Sequence, residues 1–220
     1  MTPAPAWAAS AGTVVFDIDG TLLDSATGIV TGFQHALRSV GFEPPDEATL
    51  RSDLGPPVDL LFTSLGLHPD QLVEAVGAYR SYYREHGLQQ ATAYEGIREL
   101  LASLRGRVAL GTATAKRTDI AEAILACHDL DGYFAVVNGV DELRNTKAET
   151  LAHTLTLLGD PDPASVLMVG DRHSDITGGR ACGVRTVGVS WGYGSRSELV
   201  EADPDLLVDH PADLAALLLH

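Results

Sequence analysis

Two pairs of aspartates stand where a short apolar run gives way to polar residues. Asp17 and Asp19 form one pair, and Asp171 and Asp175 form the other. Four carboxylates gathered in one cleft would repel one another, and like charges a few ångströms apart cannot all stay ionised. We therefore expect a cation among them, and hard oxygen ligands without clustered His or Cys favour Mg²⁺. Since that cation and Lys147 together could neutralise a dianion, we expect a phosphate-bearing substrate.

The apolar runs before these aspartates are predicted strands, because they are about four residues long and flanked by glycine. From residue 94 onward such runs alternate with amphipathic stretches. The alternation predicts a doubly wound parallel sheet with helices on both faces, the Rossmann-like α/β class, in which ligands bind at the carboxyl ends of the strands. The predicted strands are 13–16, 108–110, 134–137, 166–169, 186–189 and 206–208, and the predicted helices are 118–126, 147–158, 174–181 and 212–219.

The segment from Ser25 to about His86 has a different pattern, with apolar residues at helical spacing and no predicted strand. Glycine and proline residues divide this segment into roughly four helices. We expect it to form an all-helical cap inserted after the first strand. The predicted domains are a core of residues 1–24 and 91–220 and a cap of residues 25–90.

Composition excludes several classes of function. The 220 residues suffice for one sizeable α/β domain with an insertion. Fifteen basic and thirty acidic residues give a net charge of −15, so we expect neither a nucleic-acid partner nor a membrane partner. No apolar run approaches the ~20 residues of a membrane span, and the segment Met1–Gly12 lacks the pattern of a signal peptide. Cys127 and Cys182 form no CxxC motif, which favours a reducing, cytoplasmic location.

The motif Asp-Ile-Asp-Gly-Thr-Leu, a threonine at a strand end, a lysine and Gly-Asp-x-x-x-Asp resemble the four motifs of the haloacid dehalogenase superfamily of phosphohydrolases. The resemblance spans nearly the whole chain. It implies that Asp17 is a nucleophile that takes the phosphoryl group as an aspartyl-phosphate. It also implies that Asp19 protonates the leaving oxygen and later activates the hydrolytic water. Gly20 allows a sharp turn after Asp19, and we expect N–H groups of this loop to face phosphoryl oxygens.

The resemblance implies roles for the other motif residues. Thr114 would donate a hydrogen bond to the phosphoryl oxygens, with Thr112 as the alternative, and Lys147 would pair with the nucleophile and the phosphoryl group. Mg²⁺ would be bound by carboxylates and by one main-chain carbonyl. Its ligands would be the carboxylates of Asp17 and Asp171 and the carbonyl of Asp19, while Asp175 would bind the metal through water or orient Lys147.

Further similarity indicates a branch of the superfamily. Asp-Gly-Thr-Leu-Leu-Asp-Ser, Gly-Pro-Pro and Tyr-x-Gly-Ile are similar to segments of phosphoglycolate phosphatase-like and 5′-nucleotidase-like members. Arg51, next to Gly-Pro-Pro in the predicted cap, would then face the substrate. The expected substrate is a small phosphorylated metabolite, either phosphoglycolate-like or a nucleoside monophosphate, and the expected enzyme is a monomer or homodimer.

Other chemistries of the superfamily are distinguished by single residues. A 2-haloacid dehalogenase lacks the acid corresponding to Asp19, and a phosphonoacetaldehyde hydrolase needs a cap lysine, which Ser25–Gln90 does not contain. A β-phosphoglucomutase-like mutase shares every core motif and stays as the alternative. A signalling receiver domain uses a similar set of acids, but it has no use for a helical insertion after the first strand.

Three other features are interpreted without a catalytic role. The chain has only two lysines, and Lys116 is interpreted as a solvated loop residue. His173 is expected to face solvent, although it lies between the two aspartates of the last motif. The segment Trp191–Gly194 is interpreted as a glycine-rich turn anchored by aromatic residues, in preference to a border of the active site.

Overall fold

A computed structural model describes residues 7 and 10–219 of the chain. Residues 1–6, 8 and 9, on which most of the expectation about Met1–Gly12 rests, lie outside the described residues. The described part divides into two compact units. One unit comprises the described residues up to Leu23 and those from Ala93 onward, and the other spans Asp24–Thr92.

The strands are β1 Thr13–Phe16, β2 Leu23–Asp24, β3 Thr92–Ala93, β4 Ala109–Thr112, β5 Thr114–Arg117, β6 Gly139–Val140, β7 Val166–Gly170, β8 Arg185–Val189 and β9 Leu206–Val208. Five of them form a parallel sheet in the first unit, in the order β4-β1-β7-β8-β9. β1 and β7 lie in its interior and are buried along their whole length, as is usual for strands covered on both faces. Two short pairs, β2 with β3 and β5 with β6, form separate ladders.

The helices of this unit are α5 Ile97–Leu104, α6 Thr118–Cys127, α7 Lys147–Leu157, α8 His173–Ala181, α9 Arg196–Ala202 and α10 Pro211–Leu219. Leu151 of α7 packs in one apolar cluster with Val15 and Met168 of the sheet, so α7 covers that face. Val14 and Phe16 alternate with Val15 along β1 and are also fully buried, which requires cover on the other face. The predicted doubly wound α/β class is confirmed.

The second unit is helical, and four helices fill the stretch that lacks predicted strands. They are α1 Ala26–Ser39, α2 Glu47–Ser52, α3 Val58–Ser64 and α4 Pro69–Glu85, followed by a 3₁₀ turn at Gly87–Gln90. An aromatic cluster joins three of these helices, with Phe33 stacked on Tyr79 and both rings packed against Phe62. Within the described residues no helix combines the length and apolar character needed to cross a membrane.

The strand register explains why distant residues meet. Phe16 of β1 is level with Thr112 of β4 and with Val169 of β7. Beyond this level the pairing continues for one more step, since the Asp17 N–H donates to the Val169 carbonyl at 2.9 Å. The three strands therefore end together, and the residues that follow them share one edge of the sheet.

The structure differs from the predicted pattern around residues 134–140. The predicted strand 134–137 is reduced to a single bridge between Val136 and Gly111, and a two-residue strand, β6, follows it. The reason lies in Asn138, whose N–H donates to the Thr112 hydroxyl at 2.9 Å instead of joining a ladder. β5, α5 and α9 were not among the predicted elements.

A buried polar network ties the end of β4 to α7. The Asn138 side-chain amide donates to the Thr150 carbonyl and to the Thr154 hydroxyl, both at 3.0 Å. The Thr154 hydroxyl in turn donates to the Thr112 carbonyl at 2.8 Å. Because α7 begins at Lys147, this network fixes that lysine relative to the strand ends.

We expect Asn138→Ala to lower the free energy of unfolding by about 2 kcal/mol, because it removes two buried hydrogen bonds and leaves the Thr150 carbonyl without this donor. Urea unfolding followed by circular dichroism measures the change. The matched control is Asn145→Ala, at the other asparagine of the chain, which is exposed and should change stability by less than about 0.5 kcal/mol. Equal effects of the two substitutions would contradict the role given to the network.

Candidate active site

Three aspartates from two strand ends form a buried cluster. Asp17 follows β1, Asp171 follows β7, and Asp175 lies in the first turn of α8. One carboxylate oxygen of each lies within 4.8 Å of those of the other two. Asp171 and Asp175 are fully buried, and Asp17 is 7% exposed. The structure thus brings together three of the four aspartates of the sequence motifs.

Lys147 is the cation that this cluster contains. Its Nζ lies 2.7 Å from Asp175 Oδ1 and 3.1 Å from Asp17 Oδ1, and it donates to the Ala113 carbonyl at 2.9 Å. Burial by itself lowers the pKa of Lys147, but the nearby carboxylates of Asp17 and Asp175 outweigh burial and raise it overall. Lys147 is therefore held in its charged form.

Among the described residues Asp171 has no ion-pair partner, and its ionised form is unfavourable. Burial, then the charges of Asp175 and Asp17, raise its pKa to about 8. Hydrogen bonds oppose this shift in part, since Asp171 Oδ2 accepts from the Tyr193 N–H at 2.8 Å and Oδ1 accepts from the Thr21 hydroxyl at 3.0 Å. Burial likewise raises the pKa of Asp175 to about 6, although the Lys147 charge acts to lower it.

The donor set of the cluster fits a hard divalent cation. It offers three carboxylates against one lysine, so ionisation of all three would leave two buried negative charges without a cation. Oxygen ligands of this kind suit Mg²⁺, Mn²⁺ or Ca²⁺ better than zinc or copper. A bound cation would favour the ionised form of Asp171, whose pKa burial now raises.

Asp19 is not part of this cluster, and its carboxylate pairs with the second lysine, Lys116. Lys116 lies on β5 and its side chain is only 8% exposed, so the interpretation of Lys116 as a solvated loop residue is wrong. Its Nζ lies 2.9 Å from Asp19 Oδ2. Burying an ammonium without a partner is costly, and the ion pair with Asp19 offsets that cost. Each of the two lysines of this chain therefore contacts a different aspartate of the Asp-x-Asp motif.

The turn after Asp19 is closed by its own backbone. The Gly20 N–H donates to the Leu23 carbonyl at 2.9 Å, and the Thr21 N–H donates to the Ile18 carbonyl at 3.3 Å. The expectation that these N–H groups face a substrate is therefore wrong for Gly20 and Thr21. Gly20 instead has a positive φ of 81°, and a Cβ there would overlap the Asp171 carboxylate, so glycine is needed for the close approach.

The two candidate threonines differ in how their hydroxyls are used. The Thr112 hydroxyl accepts from the Asn138 N–H and donates to the Asn138 carbonyl at 3.1 Å, so it serves the fold. The Thr114 hydroxyl accepts from the Lys116 N–H at 3.3 Å, which leaves its proton available to donate. Of the two, Thr114 is better suited to contact a ligand.

The segment Trp191–Gly194 borders the cluster, contrary to its interpretation as a simple turn. Tyr193 and Gly194 direct their N–H groups at Asp171 Oδ2, at 2.8 and 3.4 Å. The Trp191 indole donates to the Thr21 carbonyl at 3.0 Å, and a Cβ at Gly192 would overlap Gly20 and Asp171. The sequence signal for this role was position, because the segment follows β8, the neighbour of β7 in the sheet.

Two further candidate residues are exposed and pair with glutamates. The His173 ring is exposed and lies 2.9 Å from Glu198 Oε1, which agrees with the expectation that it faces solvent. Arg51 lies on α2 in the helical unit, where its guanidinium pairs with Glu47 at 2.8 Å on an exposed face. Its contact with a substrate stays a prediction.

Residues 14–189 match the model of the family described as haloacid dehalogenase-like hydrolase. The chain belongs to that family. The expected resemblance and the expected class of enzyme are thereby confirmed. Haloacid dehalogenase-like enzymes generally use a divalent metal ion, and the acidic cluster could bind one.

Relatives in this family carry several names. The tyrosine-protein kinase PtkA of Mycobacterium tuberculosis (strain ATCC 25618 / H37Rv) is 39% identical over 207 residues, which cover 93% of this chain and 70% of that protein. A 5′-nucleotidase of Pseudomonas aeruginosa is 37% identical over 208 residues, covering 93% of this chain and 92% of that one.

Solved structures give the same fold. The haloacid dehalogenase-like hydrolase SP0104 of Streptococcus pneumoniae superposes with a TM-score of 0.87 at 30% identity, covering 94% of this chain and 98% of that one. A predicted phosphoglycolate phosphatase of Haemophilus somnus superposes with a TM-score of 0.83 at 23% identity and the same coverage, which supports the fold alone.

We expect Asp171→Asn to stabilise the metal-free protein, and to do so more at pH 8 than at pH 5. A carboxyl group that ionises near pH 4 when unfolded and at about 8 when folded binds more protons in the folded state. Its ionisation therefore lowers stability as pH rises through that window. Asparagine removes this cost, and we expect Tm at pH 8 in EDTA to rise by about 5 °C, or roughly 2 kcal/mol.

Thermal unfolding followed by circular dichroism at both pH values tests this expectation, with the exposed Asp53→Asn as the control for loss of one charge. Added Mg²⁺ should stabilise the wild-type protein and reverse the order of the two Tm values. An Asp171→Asn protein that is less stable than wild type at pH 8 without metal would contradict the unfavourable charge assigned to Asp171.

Proposed function

We propose that this chain is a Mg²⁺-dependent phosphomonoester hydrolase that acts through an aspartyl-phosphate. The observation that carries the proposal is the Asp17 carboxylate, held 3.1 Å from Lys147 in a cluster whose charge calls for a divalent cation. A buried, oriented carboxylate beside Lys147 and a bound divalent cation could accept a phosphoryl group without repelling it. Asp17 follows the carboxyl end of β1, an interior strand, so the sheet fixes the position of the nucleophile.

The reaction has two steps in this proposal. An Asp17 carboxylate oxygen attacks phosphorus, the bond from phosphorus to the leaving oxygen breaks, and Asp19 gives its proton to that oxygen. Asp19, now a carboxylate, takes a proton from water as the water attacks the phosphoryl group. The bond between phosphorus and Asp17 then breaks, which releases inorganic phosphate and restores both aspartates.

The other site residues hold the phosphoryl group in line. Thr114 donates its hydroxyl proton to a phosphoryl oxygen, and Lys147 pairs with the phosphoryl group while staying in contact with Asp17. Asp175 orients Lys147, a role supported by their 2.7 Å ion pair. Gly20 contributes by the close packing of its turn on Asp171.

Mg²⁺ would be held by the carboxylates of Asp17 and Asp171 and by the Asp19 main-chain carbonyl. When bound, it supplies positive charge that screens the phosphoryl oxygens and lets a carboxylate approach them. The hydrogen bonds from Thr21 and Tyr193 keep Asp171 in one orientation, so it needs no rearrangement to serve as a ligand. The assignment of Mg²⁺ rests on the oxygen donor set of the cluster.

The proposed substrate is a small phosphorylated metabolite, either a nucleoside monophosphate or a phosphoglycolate-like ester. The 5′-nucleotidase name of one relative supports the first. The helical unit is proposed to act as the cap that selects the substrate, with Arg51 facing it. The cytoplasmic location stays a prediction.

We expect Asp17→Asn to fold normally and to release phosphate at least about 1,000-fold more slowly than wild type, because the amide cannot form the phosphoryl bond. Phosphate release is measured from a panel of phosphoglycolate, nucleoside monophosphates and sugar phosphates, with Mg²⁺ and with EDTA. The control is Asp160→Asn, an exposed aspartate whose φ of 53° asparagine adopts equally well. Its rates should equal those of wild type.

Four results would count against the proposal. Turnover by Asp17→Asn would remove the nucleophile, and full activity in EDTA would remove the metal. Interconversion of glucose 1-phosphate without phosphate release would favour the mutase. Labelled ATP is added to the panel because PtkA carries a kinase name. The fourth contrary result is label on a tyrosine instead of on inorganic phosphate, which would contradict a hydrolase.

A further inference from the structure

The pairing of Lys116 with Asp19 is unexplained by the proposed chemistry of the phosphoryl group. Lys147 already serves the nucleophile and the buried aspartates. Lys116 is a second buried ammonium, 8% exposed, and its partner carboxylate is 15% exposed. A buried lysine is unusual unless its charge is needed, and lysine ammonium groups lose much hydration on burial.

We propose that Lys116 is a positioning residue that holds the Asp19 carboxylate at the leaving-group side of the site and apart from the metal cluster. This inference rests on the proposed function, because it concerns how Asp19 serves the reaction. Asp19 lies two residues from Asp17, so its carboxylate is close enough in sequence to be drawn to the same cation. A carboxylate that ligated the metal would be held at the cation and away from the leaving oxygen, so it could not exchange a proton there.

The arrangement of charges supports this separation. The cluster of carboxylates in the described residues comprises Asp17, Asp171 and Asp175, and Asp19 lies outside it. The 2.9 Å contact with Lys116 Nζ gives Asp19 a cation of its own. β5 fixes that cation, since Thr114 pairs with Gly139 of β6 and its hydroxyl accepts from the Lys116 N–H.

The order of residues along β5 gives a matched control. Burial alternates along this strand, with Lys116 buried and its neighbour Arg117 exposed. Arg117 pairs with Asp119 at 3.3 Å on the surface. Arg117→Met therefore removes the same charge from the adjacent position without touching Asp19.

The first test is a double-mutant cycle on turnover with Lys116→Met, Asp19→Asn and the combination. We expect Lys116→Met to lower kcat by about 10-fold or more, with little change in KM, because it removes part of the roughly 10²–10⁴-fold that general acid–base catalysis contributes. In the Asp19→Asn background the same substitution should change kcat less than about 2-fold. Lys116→Arg should recover part of the loss, and Arg117→Met should behave as wild type.

The dependence of the rate on the leaving group distinguishes a positioning role of Lys116 from a general structural role. The rate of phosphoryl-enzyme formation is compared for an alkyl phosphate and for p-nitrophenyl phosphate, whose leaving group needs no proton. Lys116→Met should slow the alkyl ester more, because only that ester depends on the acid. Equal slowing of both esters, or equal losses with and without Asp19, would overturn the proposal.

The second test is independent of turnover. It uses calorimetric Mg²⁺ titration of wild type, Lys116→Met, Asp19→Asn and the double variant. We expect Lys116→Met to tighten Mg²⁺ binding several-fold when Asp19 is present and to have no such effect in the Asp19→Asn background. Equal tightening in both backgrounds would mean a simple charge effect and would overturn the proposal. If wild type releases phosphate from no substrate, the proposed function fails while this titration still decides the role of Lys116.

Folding is checked by circular dichroism for every variant. If Lys116→Met does not fold, Lys116→Gln takes its place in both cycles, since it keeps a hydrogen-bond donor and loses the charge. Loss of kcat that depends on Asp19 supports the proposal with either variant, and wild-type kcat in a folded variant overturns it.

Discussion

The whole site depends on the repulsion among three buried carboxylates. Asp17, Asp171 and Asp175 crowd within 4.8 Å, and the one lysine in contact with them cannot neutralise all three charges. Such charges are costly where water is excluded, and burial, followed by the charges of Asp175 and Asp17, raises the pKa of Asp171 to about 8. A divalent cation bound among these carboxylates would remove that cost, and the cluster could bind one.

The rest of the first unit holds these charges in place against that repulsion. Parallel strands with matched ends bring Asp17 and Asp171 together, and two loops then pack on Asp171. Gly20 approaches it from one side, while Tyr193 and Gly194 donate N–H groups to its Oδ2. A third tie, from Asn138 to α7, fixes Lys147. Rigid support of this kind keeps each oxygen ready for its ligand, which is the usual requirement of a preorganised site.

The sequence predicted the features that depend on local pattern. The strands Thr13–Phe16 and Leu206–Val208 were predicted to the residue. The rule that ligands bind at the carboxyl ends of parallel strands predicted that Asp17, Asp171 and Lys147 lie at one edge of the sheet. Two features that depend on contacts between distant segments were missed. Lys116 lies in Thr-Ala-Lys-Arg, which has no apolar alternation, so nothing local indicated β5 or the burial of its lysine. The loop after β8 was interpreted as a simple turn. The same rule about strand ends, applied to β8, would have predicted that this loop lies beside Asp171.

The most direct test of this account is the structure of a crystal soaked in Mn²⁺, in which anomalous scattering locates the ion. The account predicts one strong peak between the carboxylates of Asp17 and Asp171, about 2.0–2.2 Å from an oxygen of each, with Asp19 still paired to Lys116. A crystal that shows no peak there, or a peak at another group of acids while the three aspartates contact only protein, would contradict it.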